Sequence, residues 1–267
     1  MNSQLWQKVN YTQDLNLLKS CDIYEYDIEK ANISVLYDAG KISKNLYDFL
    51  FNQQRMARQI MIGNMEKRDS EITQIKADGI KEAKRKLFEI QQIQDSEVLS
   101  VRNDAIFVLR QLNPDHLKFG HVKFTLRNHY NLFIKAQRIQ FYYYYNIFTG
   151  QEQLDIKGIR DEVCKIHEPY MIDMFKELFR TYVKQSAKDA ILYLRKFNHY
   201  FMARQLNIGF YRDIFTGTYI LDTDSQLYEY QTIEVDDNML DAIVISNNSV
   251  ILRELAKIFY TEYLRTK

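Results

Sequence analysis

Hydrophobic and polar positions change period along the chain, and these changes predict both strands and helices. The alternating stretch Ile23–Asp27 predicts a short strand, and helical spacing begins directly after it at Ala31. Further on, the apolar runs 98–101 and 106–109 flank a short polar turn that ends in Asp104. Two apolar runs joined by such a turn are typical of a β-hairpin. The pattern therefore places one aspartate at the end of a strand and another at the tip of a hairpin.

The rest of the chain alternates between helical and strand-rich stretches. Residues 1–20 are expected to form a short helix or an ordered arm, and Ser43 suits the N-cap of a helix that stops near Gly63. Further helical spacing covers 69–92, 161–206 and 249–264. Strand-forming residues dominate 121–149 and 210–235. Together these patterns predict an α+β protein.

One short sequence occurs twice. Asn146–Gly150 recurs almost unchanged as Asp213–Gly217. A single recurrence of five residues indicates a reused turn more than a true repeat of a structural unit.

Composition and charge narrow the class of protein. Hydrophobic residues make up 46% of the chain, which is typical of a folded protein, and the net charge is only +1. Any nucleic-acid binding must therefore come from a local basic face. The abundance of Asn, Lys, Ile and Tyr suggests an AT-rich genome, such as that of a virus or phage.

The cysteines and the hydropathy profile bear on the compartment. Cys21 and Cys164 fit neither a metal-ligand spacing nor a disulfide framework, so we expect inert thiols in a reducing compartment. No signal peptide and no apolar run of membrane-spanning length is recognised. The expected location is intracellular, without a membrane partner, and in the host cytoplasm if the protein is viral.

The two aspartates are the strongest candidates for chemistry. If Asp27 and Asp104 meet on one sheet, their carboxylates suit Mg²⁺ or Mn²⁺ in a phosphoryl-transfer site. Each also has a simpler interpretation. Asp27 stands where a helix N-cap would be, and Asp104 is a common turn residue.

Three segments resemble a known family. Tyr26–Ala31 resembles motif A of the family B DNA polymerases of phages and viruses, and Val101–Val108 resembles motif C. Leu154–Arg160 resembles the Lys-Gly-Ile segment at which the polymerase palm meets the thumb. The resemblance implies a palm-like domain over 1–158 and a thumb-like helical region with a small β segment over 159–267. It also implies a template-directed nucleotidyltransferase that extends a primer, with Asp27 and Asp104 as catalytic, metal-binding residues.

Further residues are candidates for the substrates of such an enzyme. Nucleoside triphosphates would meet Arg55, Arg58 and Lys81, with Asn32 at the position that screens the sugar. Primer and template backbone would meet basic residues interleaved with aromatics, and these are Lys123, Arg127, Lys135, Arg138 and Lys157. On amphipathic elements such cations are also common as ordinary solvated residues.

Departures from the family pattern support a second hypothesis. Asn103 and Ala105 leave motif C with one acid, Asn32 replaces the usual tyrosine, and no fingers or exonuclease motif is recognised. The alternative is an inactive polymerase-like protein that serves as a nucleic-acid-binding or assembly subunit of a phage complex. A split polymerase, whose second chain supplies the fingers, and a structural virus protein with coincidental motifs are further options. Leu221–Ser225 spells the usual motif C letters, but we interpret it as a turn.

Overall fold

A computed structural model describes residues 4–217 and 247–267. The second motif C-like sequence, Leu221–Ser225, lies outside the described residues. So does most of the strand-rich stretch predicted over 210–235. The described part of that stretch contains a 3₁₀ turn, Ile208–Tyr211, where a strand was predicted.

The described residues form a mixed α+β fold, which confirms the predicted class. The strands are β1 (Asn10–Thr12), β2 (Leu17–Ile28), β3 (Val98–Arg102), β4 (Ala105–Val108), β5 (Lys118–Phe119), β6 (Val122–Ala136), β7 (Ile139–Tyr145) and β8 (Glu152–Lys157). The helices are α1 (Ala31–Asp38), α2 (Lys44–Phe51), α3 (Arg55–Arg68), α4 (Glu71–Ile90), α5 (Asp161–His167), α6 (Asp173–Lys184), α7 (Ala187–Met202) and α8 (Asn247–Arg265). None of these helices combines the length and apolar character needed to cross a membrane.

The chain divides by its contacts into two compact units. Unit 1 contains residues 1–14 and 20–130, and unit 2 contains residues 15–19 and 131–267. Strands β2 and β6 contribute residues to both units. The palm-like and thumb-like regions predicted over 1–158 and 159–267 are functional assignments, and they stay predictions.

Unit 1 is built on an antiparallel sheet with the strand order β1-β3-β4-β2-β6. Strand β4 pairs with β2 on one side and with β3 on the other, both antiparallel, so β2 and β3 run in the same direction. The connection from β2 to β3 contains α1–α4. Side chains of α4 pack against the hairpin, and Leu87, Val101 and Ile106 are fully buried there.

Two local predictions in unit 1 were wrong. The helix expected to continue from 43 to 61 ends at Phe51, and Gly63 lies inside α3. The side-chain amides of Asn52 and Gln53 donate to the carbonyls of Asp48 and Phe49, which satisfies the end of α2 locally. The predicted N-cap, Ser43, was correct, because its hydroxyl accepts the amide of Leu46.

Unit 2 packs helices against the strands β6, β7 and β8. Alternate residues of β7 (Ile139, Phe141 and Tyr143) enter one core with α6, α7 and α8, and all three are almost fully buried. The helical stretch predicted over 161–206 is confirmed as α5, α6 and α7, with a π-helical turn at Glu168–Ile172. Residues 1–20 were predicted to form a helix or arm. From residue 4 onwards, this stretch contains a single 3₁₀ turn, Leu5–Gln7, followed by β1 and the start of β2.

The recurring five-residue sequence forms the same turn twice in unit 2. Asn146 Oδ1 accepts the amides of Phe148 and Thr149, and Asp213 Oδ1 accepts those of Phe215 and Thr216. Each turn closes on a glycine with positive φ, 73° at Gly150 and 74° at Gly217. A left-handed conformation favours glycine, so the prediction of a reused turn is confirmed.

Candidate active site

Asp27 lies at the end of β2, on the sheet face opposite the core that the strands form with helices α1 and α4. Its neighbours Tyr26 and Ile28 are buried in the core formed with those helices, and strand alternation directs Asp27 to the opposite face. In register, Asp27 stands across from Ala105 of β4. The interpretation of Asp27 as a helix N-cap was wrong, because α1 begins after Lys30 and has no side-chain cap.

Asp104 occupies the turn between β3 and β4, as predicted. Asn103 adopts the left-handed conformation that this two-residue turn requires, with φ of 43°, and its amide donates to the carbonyl of Val9 at 2.7 Å. The carbonyl of Asp104 accepts the amide of Ile28 at 3.3 Å. That bond fixes the hairpin tip beside the end of β2. The structure therefore brings together the two aspartates that the sequence pattern singled out.

The two carboxylates influence each other electrostatically. Burial raises the pKa of Asp104, and the nearby charge of Asp27 raises it further. The positive charges of Arg127 and Arg55 oppose the shift but do not cancel it. A carboxyl group whose pKa is raised by burial and by a neighbouring carboxylate is a candidate functional residue.

Arg127, on β6, pairs directly with Asp27. Its Nη1 lies 2.6 Å from Asp27 Oδ2. The other oxygen, Asp27 Oδ1, is buried and has no hydrogen-bond partner among the described residues. Sequence analysis placed Arg127 among the cations that contact nucleic-acid backbone, whereas the structure places it within the carboxylate site.

Lys84, on α4, is a site residue that the sequence presents only as one member of a basic cluster with Lys81, Arg85 and Lys86. It is only 1% exposed, and its Nζ donates to the carbonyl of Lys8 at 2.8 Å. Burial lowers the pKa of Lys84 to about 8, although the charge of Asp104 acts against this shift. The available signal was its position on the apolar face of α4, four residues after Ile80 and three before Leu87.

The other predicted nucleotide-binding residues differ in their positions. Arg55 is exposed at the start of α3, and its charge reaches Asp104. Arg58 is held locally, donating to the carbonyl of Gln53 at 2.9 Å. Lys81 lies 4.0 Å from Asp78 on the same helix, and Asn32 is half-buried in the first turn of α1. Of this group, the structure associates only Arg55 directly with the aspartates.

The remaining basic residues predicted to contact nucleic acid are divided between the units. Lys123 is exposed on β6 in unit 1, and its carbonyl accepts the amide of Glu29. In unit 2, Lys135 and Lys157 both stand across from Gln140 of β7. Arg138 lies over the ring of Phe215, at 3.5 Å from its centroid. Their roles stay predictions.

The carboxylates suit a metal ion that arrives with a phosphate ligand. Among the described residues, no three histidine, cysteine or acidic side chains are grouped closely enough to form a protein-only metal site. Mg²⁺, however, commonly binds through one or two carboxylates, with substrate phosphates completing its coordination. The carboxylates of Asp27 and Asp104 fit that donor set, and Asp27 Oδ1 accepts no hydrogen bond from the part of the chain that the structure describes.

Comparisons with known proteins connect the chain to phages. No curated protein matches it. A family model described as "Bacteriophage PBS1 gene 130 protein" matches residues 1–260, nearly the whole chain. This agrees with the viral or phage origin expected from the composition. The protein therefore belongs to the phage family of the bacteriophage PBS1 gene 130 protein.

Proposed function

We propose that this phage protein is a template-directed nucleotidyltransferase of the DNA polymerase type. The observation that carries the proposal is the placement of Asp27 and Asp104 at one end of the paired strands β2 and β4. The similarity of the same two segments to polymerase motifs A and C supports it. So does the strand order, in which β4 separates two strands that run in the same direction.

The cations around the aspartates suit a triphosphate substrate. Arg127 of β6 contacts Asp27, and the charge of Arg55 of α3 acts on Asp104. Guanidinium groups suit phosphate because they can bind two of its oxygens at once. The buried Lys84 is within the electrostatic reach of Asp104, whose charge acts to raise the lysine pKa. Asn32, at the sugar-screening position of the motif, predicts weak discrimination against ribonucleotides.

The proposed reaction divides the work between the protein and a bound cation. Asp27 and Asp104 would hold Mg²⁺, and Arg127 would move from Asp27 to the phosphates when nucleotide binds. When bound, Mg²⁺ would lower the pKa of the primer 3′-hydroxyl and neutralise charge on the departing pyrophosphate. The protein's own contribution would be to hold the cation and to position the substrates.

Primer extension with purified protein and Mg²⁺ or Mn²⁺ tests the proposal. We expect Asp27→Asn and Asp104→Asn each to reduce incorporation by about a hundredfold or more. The matched control is Asp95→Asn, which changes an exposed aspartate of unit 1 in the same way. Unchanged incorporation in both site variants would reject the mechanism.

The second candidate is an inactive polymerase-like subunit that binds nucleic acid or assembles with other phage proteins. It is favoured by the Arg127–Asp27 ion pair, which occupies Asp27 Oδ2, and by Asn103 and Ala105, where motif C usually offers a second acid. Calorimetry with Mg²⁺ and a non-hydrolysable nucleoside triphosphate separates the cases. Binding without incorporation indicates a split enzyme that needs a second chain. Primer–template binding without nucleotide binding indicates the inactive subunit.

A further inference from the structure

The two copies of the recurring turn differ in what covers their apolar pair. In the second copy, Ile214 is fully buried in the core of unit 2, and the guanidinium of Arg138 stacks on Phe215. In the first copy, at the tip of the β7–β8 hairpin, Ile147 is 59% exposed and Phe148 is 90% exposed. Both copies share the amide bonds to the side-chain oxygen of their first residue and the closing glycine of positive φ. The difference is therefore that one pair is covered and the other is not.

Ile147 and Phe148 place two adjacent apolar side chains in solvent at the tip of a hairpin. Exposing them forgoes the burial of two large apolar side chains, each worth about 1.5–3 kcal/mol. The turn itself does not require these residues, because it is closed by Asn146, Thr149 and Gly150. We call this pair the Ile147–Phe148 knob, and exposed apolar side chains of this kind are typical of surfaces that bind a partner.

A groove elsewhere on unit 2 combines apolar side chains with arginines. It lies between α7 and α8 and has a volume of about 390 Å³. Its apolar lining includes Ile191, Leu194, Leu252 and Ala256, with guanidinium groups supplied by Arg195 and Arg253. An apolar floor beside an arginine is the combination that covers Ile214 and Phe215.

We propose that the Ile147–Phe148 knob of one copy docks into the α7–α8 groove of a second copy of this chain. Phe148 would stack under a guanidinium of the groove, as Phe215 stacks under Arg138. Because the knob and the groove are different patches, the contact is heterologous and generates rings or open filaments. The proposal is independent of the Asp27–Asp104 site and holds whether or not that site is catalytic.

Sedimentation velocity over a range of protein concentrations tests the contact. We expect the wild-type chain to form dimers and larger species between about 1 and 100 μM, as is typical of small transient interfaces. Phe148→Asp removes the knob, and Ala256→Glu places a charge in the groove. We expect either change to weaken association at least about tenfold. Arg195→Glu, at an exposed position, is a second groove variant if Ala256→Glu does not fold.

The decisive experiment mixes Phe148→Asp protein with Ala256→Glu protein, because each variant retains one of the two contacting surfaces. Phe148→Asp protein still has a groove and Ala256→Glu protein still has a knob, so the mixture should form one-to-one dimers and nothing larger. Met56→Asp, at a 74% exposed methionine of unit 1, is the control and should associate like wild type. A monomeric wild type at about 100 μM, or association unchanged by Phe148→Asp, would overturn the proposal. Oligonucleotide binding that Arg195→Glu abolishes, without self-association, would assign the groove to nucleic acid.

Discussion

Unit 1 and unit 2 each hold a partly buried cluster of carboxylate and cationic side chains, and the two clusters are balanced differently. In unit 2, Glu152 accepts hydrogen bonds from the Tyr143 hydroxyl and from Arg180 Nη2, the latter at 2.8 Å. Burial alone would raise the pKa of Glu152, but the bonds from Arg180 and Tyr143 outweigh it and the pKa is lowered. In unit 1, the pKa of Asp104 is raised and Asp27 Oδ1 has no partner among the described residues. We therefore expect the paired charges around Glu152 to stabilise the fold, and the incompletely paired carboxylates Asp27 and Asp104 to favour binding of a ligand.

The largest expected effect is the loss of the satisfied carboxylate. Glu152→Ala should lower the free energy of unfolding by about 3 kcal/mol, since it leaves Arg180 and Tyr143 without their common acceptor. Urea denaturation at pH 7 measures this. Glu177→Ala is the matched control, because Glu177 also pairs with Arg180 but is half-exposed. A similar small loss in both variants would mean that Glu152 is no more structural than an ordinary surface ion pair.

The next effect has the opposite sign and comes from Lys84. Burial lowers the pKa of Lys84 to about 8, so keeping its ammonium charged at pH 7 costs the folded state about 3 kcal/mol. The hydrogen bond to the carbonyl of Lys8 offsets about 1 kcal/mol of this cost. Lys84→Met should therefore raise the free energy of unfolding by about 1–2 kcal/mol. In the wild type, this penalty is complete below pH 8 and fades as the pH rises towards the unfolded pKa of about 10.4.

The pH dependence of that variant provides the check. Wild-type stability should gain a contribution between about pH 8 and 10 that Lys84→Met lacks. Lys86→Met, at an exposed position of the same helix, should show no such difference. Destabilisation by Lys84→Met at pH 7 would show that Lys84 belongs with Glu152 as a structural group.

Removing the charge of Asp104 should change the stability less, and the pH dependence of this change should differ from that of Glu152. Because its folded pKa is raised, Asp104 contributes less stability as the pH rises from its unfolded value of about 3.9 through the folded value. Glu152 behaves in the reverse way, because its lowered pKa adds stability above about pH 4.3 that is lost on acidification. Asp104→Asn should raise the free energy of unfolding at pH 7 by less than about 1 kcal/mol. Between pH 3 and 7, the Asp104→Asn variant should lack the fall in the free energy of unfolding that ionisation of Asp104 causes in the wild type. A fall of the same size in both proteins would contradict the raised pKa of Asp104.

The site features that could be predicted depend on residues close together in the sequence, whereas those that could not be predicted depend on residues far apart. Strand alternation around Asp27 and the hairpin turn at Asp104 follow from short sequence patterns, so both positions were predicted. Lys84 was grouped with the neighbouring cations of α4, because a helical pattern does not reveal which lysine faces a charge brought in by another element. The ion pair between Arg127 and Asp27 joins residues one hundred positions apart. Such a pair depends on which strands are neighbours in the sheet, and a single sequence does not specify this.

Prediction of the fold from a single sequence was limited in a similar way. The helix break at 52–54 depends on Asn52 and Gln53 bonding to carbonyls of the preceding turn, and these residues also occur inside helices. The predicted strand-rich stretch ended at 149, so β8 (Glu152–Lys157) was not assigned from the sequence. In the structure, β8 is identified by its pairing with β7. Ser43 and the recurring turn were predicted correctly because their hydrogen bonds lie within a few residues.

The smallest expected change in stability comes from Arg127, although its electrostatic effect should be clear. The Arg127 side chain is more than half exposed, so Arg127→Met should alter the free energy of unfolding by less than about 0.5 kcal/mol. Its charge opposes the raised pKa of Asp104, and its loss should raise that pKa further, which NMR titration of the carboxyl carbon would detect. Arg55→Met should act in the same direction but less, since Arg55 has the weaker influence on Asp104. A loss of several kcal/mol in Arg127→Met would instead make the ion pair a structural element like Glu152–Arg180, and the contrast between the two units would fail.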